Sequence, residues 1–314
     1  MTGVTVRVPA KLNLQLAVGP PRADGYHDLV TVFHAVSLFD QVTVEPAGRD
    51  GVSVTGEGAD QVPADQDNLA LRATEALRAA VPDRGTGTVH VTISKRIPVA
   101  AGLAGGSADA AAALLACNEL WGAGLTQPQL CEIGAAVGSD VAFALLGGTA
   151  VGRGRGEQLT PALAPATQYH WVLAFADGQL STPAVYAALD RLRTARPADP
   201  AGSEVAVAAE PDLDAALMSA LRSGDAARVG QRLTNDLQPA AVSLFPALRK
   251  TLTAGLELGA LGALVAGSGP TCVFLAANAE RALELAVSLS GAGVCRSVAR
   301  VSGPVPGAAV VSAG

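Results

Sequence analysis

Apolar and polar positions alternate from the start of the chain. Val4, Val6 and Val8 fall on one face, and after Pro9 the register resumes with Leu12, Leu14 and Leu16; this predicts two short strands or one kinked strand. HDLVTVFHAVSLFDQVTVEPAG, rich in Val, Phe and Thr, predicts a second β region, and GVSVTGEG a short third. DNLALRATEALRAAV then turns to helical spacing, with Asp67 or Asn68 as its cap. TVHVTISKRIPVA returns to a strand and leads through a Gly-rich loop into a helix ending near Trp121. TQPQLCEIGAAVGSD reads as a helix stopping at Gly138, and GGTAVGRGRGE as a strand leaving a glycine turn. Further on, HWVLAFA is a buried strand, STPAVYAALDRL a capped helix, and residues 194–211 a Pro/Ala/Gly/acidic surface loop. Two or three helices follow up to Leu258. GALVAGSGPTCVFLAA reads as strand, turn, strand; NAERALELAVSLSGAG as a helix; VCRSVARVS as a last strand. Strands and helices mix without strict βαβ alternation. The expected fold class is therefore α+β, in two domains, 1–155 and 156–314, and not a doubly wound sheet.

Composition mainly excludes. Of the 314 residues, 49% are apolar, enough for a full core, and the net charge is −6. A basic surface for nucleic acid or an anionic membrane is not expected. The four cysteines, Cys117, Cys131, Cys272 and Cys295, show no C-x-x-C or zinc spacing, and are expected reduced and packed in the core. The N-terminus lacks a basic segment followed by an apolar one, and no apolar run approaches the ~20 residues of a membrane span. A cytoplasmic protein is expected.

The candidate chemistry centres on PVAAGLAGGSADAAAALLAC, Pro98 to Cys117. Small residues from Ala100 to Gly106 let backbone N–H groups approach an anion, and Ser107 sits where a helix cap would. The free N–H groups and helix dipole would point at a phosphate. A tight strand-to-helix turn without a ligand is the alternative. G-K-[ST] is absent, which excludes a Walker A loop, and the glycine order does not match a dinucleotide fingerprint. Lys11 and Asn13, two apart on a strand, project to one face, either as a solvated strand face or as part of a site. Asp140 follows a Gly-Ser turn, where an N-cap or Asx turn is common.

The loop Pro98-Val-Ala-Ala-Gly102-Leu103-Ala104-Gly105-Gly106-Ser107-Ala108 resembles the nucleotide-binding signature of the GHMP kinase superfamily. VPAKLNLQLAV resembles its first motif, and VAGSGPTCVF, from Val265 to Phe274, its third. RADGYHDLVTVFHAVSLFD, DNLA and GSDVAFALLGGTAVGRGRGE add matches over nearly the whole chain, weakest from Arg193 to Arg232. DGYH with GSDV resembles the branch whose acceptor is a cytidine-diphosphate-linked polyol.

This resemblance implies an N-terminal domain similar to the ribosomal protein S5 second domain, a ferredoxin-like C-terminal domain, and an ATP-dependent kinase with Mg2+. Lys11 would stabilise charge at the transferring phosphoryl group and Asp140 would be the general base. Asn13 would bond the polyol. Tyr26 and His27 would clamp cytidine, with Tyr186 opposite and Thr182 nearby. Asn68, Leu69 and Lys95 would lie near the adenosine. Pro98, Gly102, Leu103, Ala104, Gly105, Gly106 and Ser107 would hold the triphosphate, with Gly267, Ser268 and Gly269 on its other side and Thr271 towards substrate. Ser107 is the one protein ligand expected for Mg2+. His34, His90 and His170 are expected to be structural; Arg153 and Arg155 fit either a phosphate contact or a solvated edge. A small-molecule substrate and a monomer or homodimer are expected. Homoserine- or phosphomevalonate-type kinases and a non-catalytic ligand sensor are the alternatives; Tyr26 with His27 argues against the first, Lys11 with Asp140 against the second.

Overall fold

A computed structural model describes residues 3–163, 167–194 and 210–313. The chain opens with β1 (Val4–Pro21) and β2 (His27–Pro46), a long antiparallel hairpin. The Pro9 break is a register shift within β1, so the kinked-strand alternative holds. β3 (Gly51–Gly56), α1 (Leu69–Ala80) and β4 (Val89–Lys95) follow, then α2 (Gly105–Leu120), α3 (Gln127–Val137), α4 (Val141–Leu146), β5 (Thr149–Gly154) and β6 (Gln158–Pro161). Beyond these come β7 (Tyr169–Phe175), α5 (Thr182–Thr194), α6 (Ala215–Ser223), α7 (Ala226–Gly230), β8 (Thr234–Asn235), α8 (Gln238–Leu244) and α9 (Ala247–Glu257). The chain ends with β9 (Gly262–Val265), β10 (Cys272–Ala276), α10 (Ala279–Gly291), β11 (Ser297–Gly303) and β12 (Ala309–Ala313).

The first sheet runs β12-β1-β2-β4-β3, with β5 on β2, β6 on β5 and β8 on β1; the second runs β11-β7-β10-β9. The first sheet therefore draws β6, β8 and β12 from beyond residue 155. Ala-rich α2 lies against β1 and β2, and its buried alanines let helix and sheet approach closely. Trp171 and Leu173 of β7 join this same core, so the two halves share apolar packing. A second core of Val172, Phe274, Val185 and Leu248 fills the space between the second sheet and α5, α8 and α9.

Three sequence expectations need correction. Ser107 is not the cap of α2. Ala104 takes left-handed geometry (φ 59°) and stands at the cap, Gly105 and Gly106 enter the helix, and Ser107 becomes its third residue. The stretch to Leu258 holds four short helices, because Asp214 and Asp225 cap new starts and Pro246 restarts the chain. VCRSVARVS is not the last strand: β12, too short for a periodic signal, pairs antiparallel with the start of β1. Most of the expected surface loop, 195–209, lies outside the described residues.

Candidate active site

A cavity of about 980 Å³ opens where β1, the loop before α2, α4 and α5 meet. Its size suits a substantial ligand. On β1, Lys11 and Asn13 share the cavity face, as their period-two spacing requires. Lys11 Nζ donates to Asn13 Oδ1 (2.8 Å), Asn13 Nδ2 donates to Thr31 Oγ1 (2.8 Å), and that hydroxyl donates to the Gln15 carbonyl (2.7 Å). This buried chain locks both side chains and leaves the remaining ammonium hydrogens facing the cavity. Asp140 occupies the cap position of α4, yet its side chain makes no capping bond. Its Oδ2 stands 3.9 Å from Lys11 Nζ instead. The carboxylate is thus turned to Lys11 and the cavity, which it lines.

The glycine loop joins β4 to α2. Ala100 (φ 51°), Gly102 (φ 77°) and Ala104 (φ 59°) are all left-handed, a conformation unfavourable for alanine. A Cβ at Gly102 would overlap the Ala266 carbonyl oxygen, so the loop touches the turn after β9 backbone to backbone. The first helical bond of α2 runs from Ala108 to Ala104. The N–H groups of Gly105, Gly106 and Ser107 precede it and have no intrahelical acceptor. With the helix dipole they form an anion cradle, and the cavity lines on Gly102, Ala104, Gly105 and Gly106. Phosphate fits here. Leu103 is buried behind the loop and accepts the Lys11 backbone N–H through its carbonyl (3.3 Å).

Other expected residues fall as follows. Pro98, Asn68 and Leu69 line the cavity. Asn68 also caps α1 through Ala70 N–H (2.9 Å) and donates to the Pro63 carbonyl (2.7 Å). Gly267 and Ser268 line it, and Ser268 Oγ bonds Thr182 Oγ1 (2.8 Å). Gly269 and Thr271 lie behind them, outside the lining, and Thr271 is buried. Ser107 is also outside the lining, its Oγ beside Gly138 and thus next to Ser139 and Asp140, which do line it. These hard oxygen donors suit Mg2+ held jointly with nucleotide oxygens.

Lys95 lines the cavity as well, with its ammonium held in a buried cluster. Its Nζ donates to Asp40 Oδ2 and to Asp109 Oδ2 (2.7 Å), directly beneath Gly105. Burial opposes its charge, but Asp109 and Asp40 more than offset this and raise its pKa. Burial pushes Asp109 up to about 8 against the pull of Lys95. Asp40 further accepts the backbone N–H groups of Arg96 and Ile97, so this buried cluster pins the entrance of the glycine loop.

At the other end, His27 and Tyr186 lie ring to ring at 5.0 Å. Tyr186 is pushed up to about 12, by burial and then by Asp140, and stays a neutral phenol. Tyr26 is 54% exposed at the cavity mouth, with the Arg155 guanidinium over its ring at 5.2 Å. Arg155 therefore reaches the site, while Asp190 was missed: it bonds His27 Nε2 at 3.0 Å. Its only sequence signal was the i, i+4 spacing from Tyr186 on α5. His34 is structural, as expected, buried against Thr149.

The chain matches the GHMP kinases N terminal domain over residues 68–148 and the GHMP kinases C terminal domain over 217–295. It is 56% identical to 4-diphosphocytidyl-2-C-methyl-D-erythritol kinase of Thermobifida fusca, covering 99% of both chains. The chain belongs to this family of GHMP kinases. The enzyme of the same name from Mycolicibacterium smegmatis is 55% identical, over 99% of this chain and 93% of the relative. A crystal structure of 4-(cytidine 5'-diphospho)-2C-methyl-D-erythritol kinase superposes with a TM-score of 0.72 at 34% identity, covering 95% of this chain and 98% of that one. A homoserine kinase from Cytophaga hutchinsonii superposes as well (TM-score 0.73) at 19% identity, covering 99% and 98%, and shares the fold alone. The two-domain α+β architecture is that of the GHMP kinases.

Proposed function

We propose that this protein transfers the γ-phosphoryl group of ATP to the 2-hydroxyl of 4-diphosphocytidyl-2-C-methyl-D-erythritol, giving the 2-phosphate and ADP, a step towards isoprenoid precursors by the non-mevalonate route. The observation that carries this is one cavity lined by three parts: the anion cradle at α2, the Lys11–Asp140 pair, and the aromatic group of Tyr26, His27 and Tyr186. Homoserine offers no base to stack against those rings.

The nucleotide phosphates sit against the N–H groups of Gly105, Gly106 and Ser107, where the helix dipole favours their charge. Cytidine stacks with Tyr26 and Tyr186, and His27, held by Asp190, reads its edge. Asn13, fixed by Lys11 and Thr31, bonds the polyol. Asp140 accepts the proton of the 2-hydroxyl as its oxygen bonds the γ-phosphorus and the bond to the β-phosphate oxygen breaks. Lys11, locked by Asn13, faces the equatorial oxygens and stabilises their charge without reorganising. Ser107 would be the protein ligand of Mg2+, which would supply charge neutralisation at the nucleotide phosphates. No helix among the described residues is long and apolar enough to cross a membrane. We place the enzyme in the cytoplasm, acting on small molecules as a monomer or homodimer.

An ADP-release assay with ATP and Mg2+ tests this. The cytidylated acceptor is compared with the polyol phosphate lacking cytidine, with homoserine and with phosphomevalonate. Turnover is expected with the first alone. Turnover with another acceptor would remove the cytidine assignment, and ATP binding without ADP from any acceptor would remove the kinase.

A further inference from the structure

The segment TNDLQ, Thr234 to Gln238, carries no charge-bearing motif of the site, yet its side chains reach two catalytic elements at once. β8 lies parallel to β1, with Thr234 opposite Gln15 and Asn235 opposite Leu16. Asp236 N–H donates to the Leu16 carbonyl (2.9 Å), and Asp236 Oδ2 accepts the Val18 N–H (2.9 Å). The segment is thereby fastened to the strand that bears Lys11 and Asn13. On its other side, Gln238 Oε1 accepts the Val265 N–H (2.9 Å) at the end of β9.

Asn235 stands between. Its side chain is buried, and its amide bonds in three directions. Nδ2 donates to the carbonyls of Val265 and Gly267 (2.7 Å each), and Oδ1 accepts the Leu237 N–H (2.9 Å). The two carbonyls bracket Ala266 and Gly267. Gly267 is left-handed (φ 50°), and a Cβ there would lie 3.3 Å from Lys11 Nζ and 3.1 Å from the Gly102 carbonyl oxygen. Ser268 follows and bonds Thr182 at the start of α5, the helix of Tyr186 and Asp190. A single amide therefore sets where the Gly267 turn meets the lysine, the phosphate loop and the clamp helix.

We infer that Asn235 is a positioning residue for phosphoryl transfer: it holds the Gly267–Ser268 turn at the spacing that keeps Lys11 and the glycine loop aligned. This rests on the kinase activity proposed above. Only an amide supplies two donors and an acceptor in this plane. Aspartate would set a carboxylate against two carbonyl oxygens, and leucine would leave all three backbone groups without partners. A displacement of about 1 Å suffices to lower the rate of an aligned reaction ~100-fold.

The test is steady-state kinetics on the full chain with ATP, Mg2+ and the cytidylated acceptor, for wild type, Asn235→Leu, Asn235→Asp and Asn235→Ser. Thermal unfolding of each variant and ATP affinity by titration calorimetry accompany it. The expected result is a fall in kcat of about 100-fold for Asn235→Leu, with KM for both substrates within about threefold of wild type. Asn235→Asp is expected to recover relative to wild type as pH is lowered, because the protonated acid regains one O–H donor. A kcat within threefold of wild type, or a rise in KM alone, would overturn the inference. If Asn235→Leu is unfolded at the assay temperature, the serine and aspartate variants decide by the same criteria. Unfolding of all three would assign Asn235 to stability and overturn it too. Absence of wild-type turnover would count against the kinase activity instead, so the two failures are distinct.

Discussion

Replacing Lys95 with methionine separates two roles for this residue. As a nucleotide contact, Lys95 would contribute to ATP affinity and little to folding. In the structure it is 3% exposed and its ammonium lies between Asp40 and Asp109, beneath Gly105. Removing one partner of such a buried cluster costs about 3–5 kcal/mol, because the remaining charge is left without compensation. A domain is stable by only about 5–15 kcal/mol, so the variant should be weakly stable, with a urea midpoint lower by about 1 M or more at a slope of ~3 kcal/mol/M. Adding Asp109→Asn should recover part of the loss, since Asp109 is the group that burial already drives towards its neutral form, while Asp40 retains the Arg96 and Ile97 N–H groups. Urea unfolding of the wild type, both single variants and the double variant gives the coupling directly. ATP titrations are run where each protein is fully folded. A stability loss below about 1 kcal/mol together with a large fall in ATP affinity would refute the buried-cluster role and leave Lys95 as a nucleotide contact alone.

Asp140→Asn should lower kcat by about 10²- to 10⁴-fold while ATP binding, followed by titration calorimetry, stays unchanged; full activity would remove Asp140 as the base. His34 offers a pH test. Burial lowers its pKa from 6.5 to about 3, the Gly303 backbone opposing, so the unfolded chain binds a proton that the folded one excludes. Stability from this group is present above about pH 6.5 and is lost as pH falls towards 3, at roughly 1.4 kcal/mol per unit. His34→Gln should therefore lose about 3 kcal/mol less than wild type between pH 6.5 and about pH 4, measured by urea unfolding; parallel profiles would refute it.

What the chain shows by local spacing, the structure keeps. Lys11 and Asn13 face the cavity together because a strand repeats every two residues, and Asn68 caps α1 because its side chain reaches only two residues ahead. The glycine loop was legible for the same reason: its backbone freedom is a property of its own residues. What depends on register was not legible. Lys95 meets Asp40 across 55 residues, and His27 meets Asp190 across 163, and neither spacing leaves a pattern in the chain. Ser107 moved because a run of small residues does not mark where its helix begins; only the left-handed Ala104 does.

The same dependence bears on how the proposed site would work without a lysine in its glycine loop. A Walker loop carries its cation within the phosphate-binding segment, so cradle and charge move together by covalent connection. Here the cation arrives laterally, from β1. Its alignment with the cradle rests on the Lys11 N–H bonded to the Leu103 carbonyl, on Gly102 against Ala266, and on Gly267 against the Lys11 ammonium. Each contact is backbone to backbone or involves a glycine. Two of the three join backbone to backbone, and in the third the lysine side chain is itself held by Asn13, so strands, loop and turn are closely coupled. α5, with Tyr186 and Asp190, is joined to them as well, through Ser268 and Thr182 at its head. In the proposed kinase, charge and phosphate are kept in register by packing, which is why Asn235, though it touches neither substrate, is expected to bear on the rate.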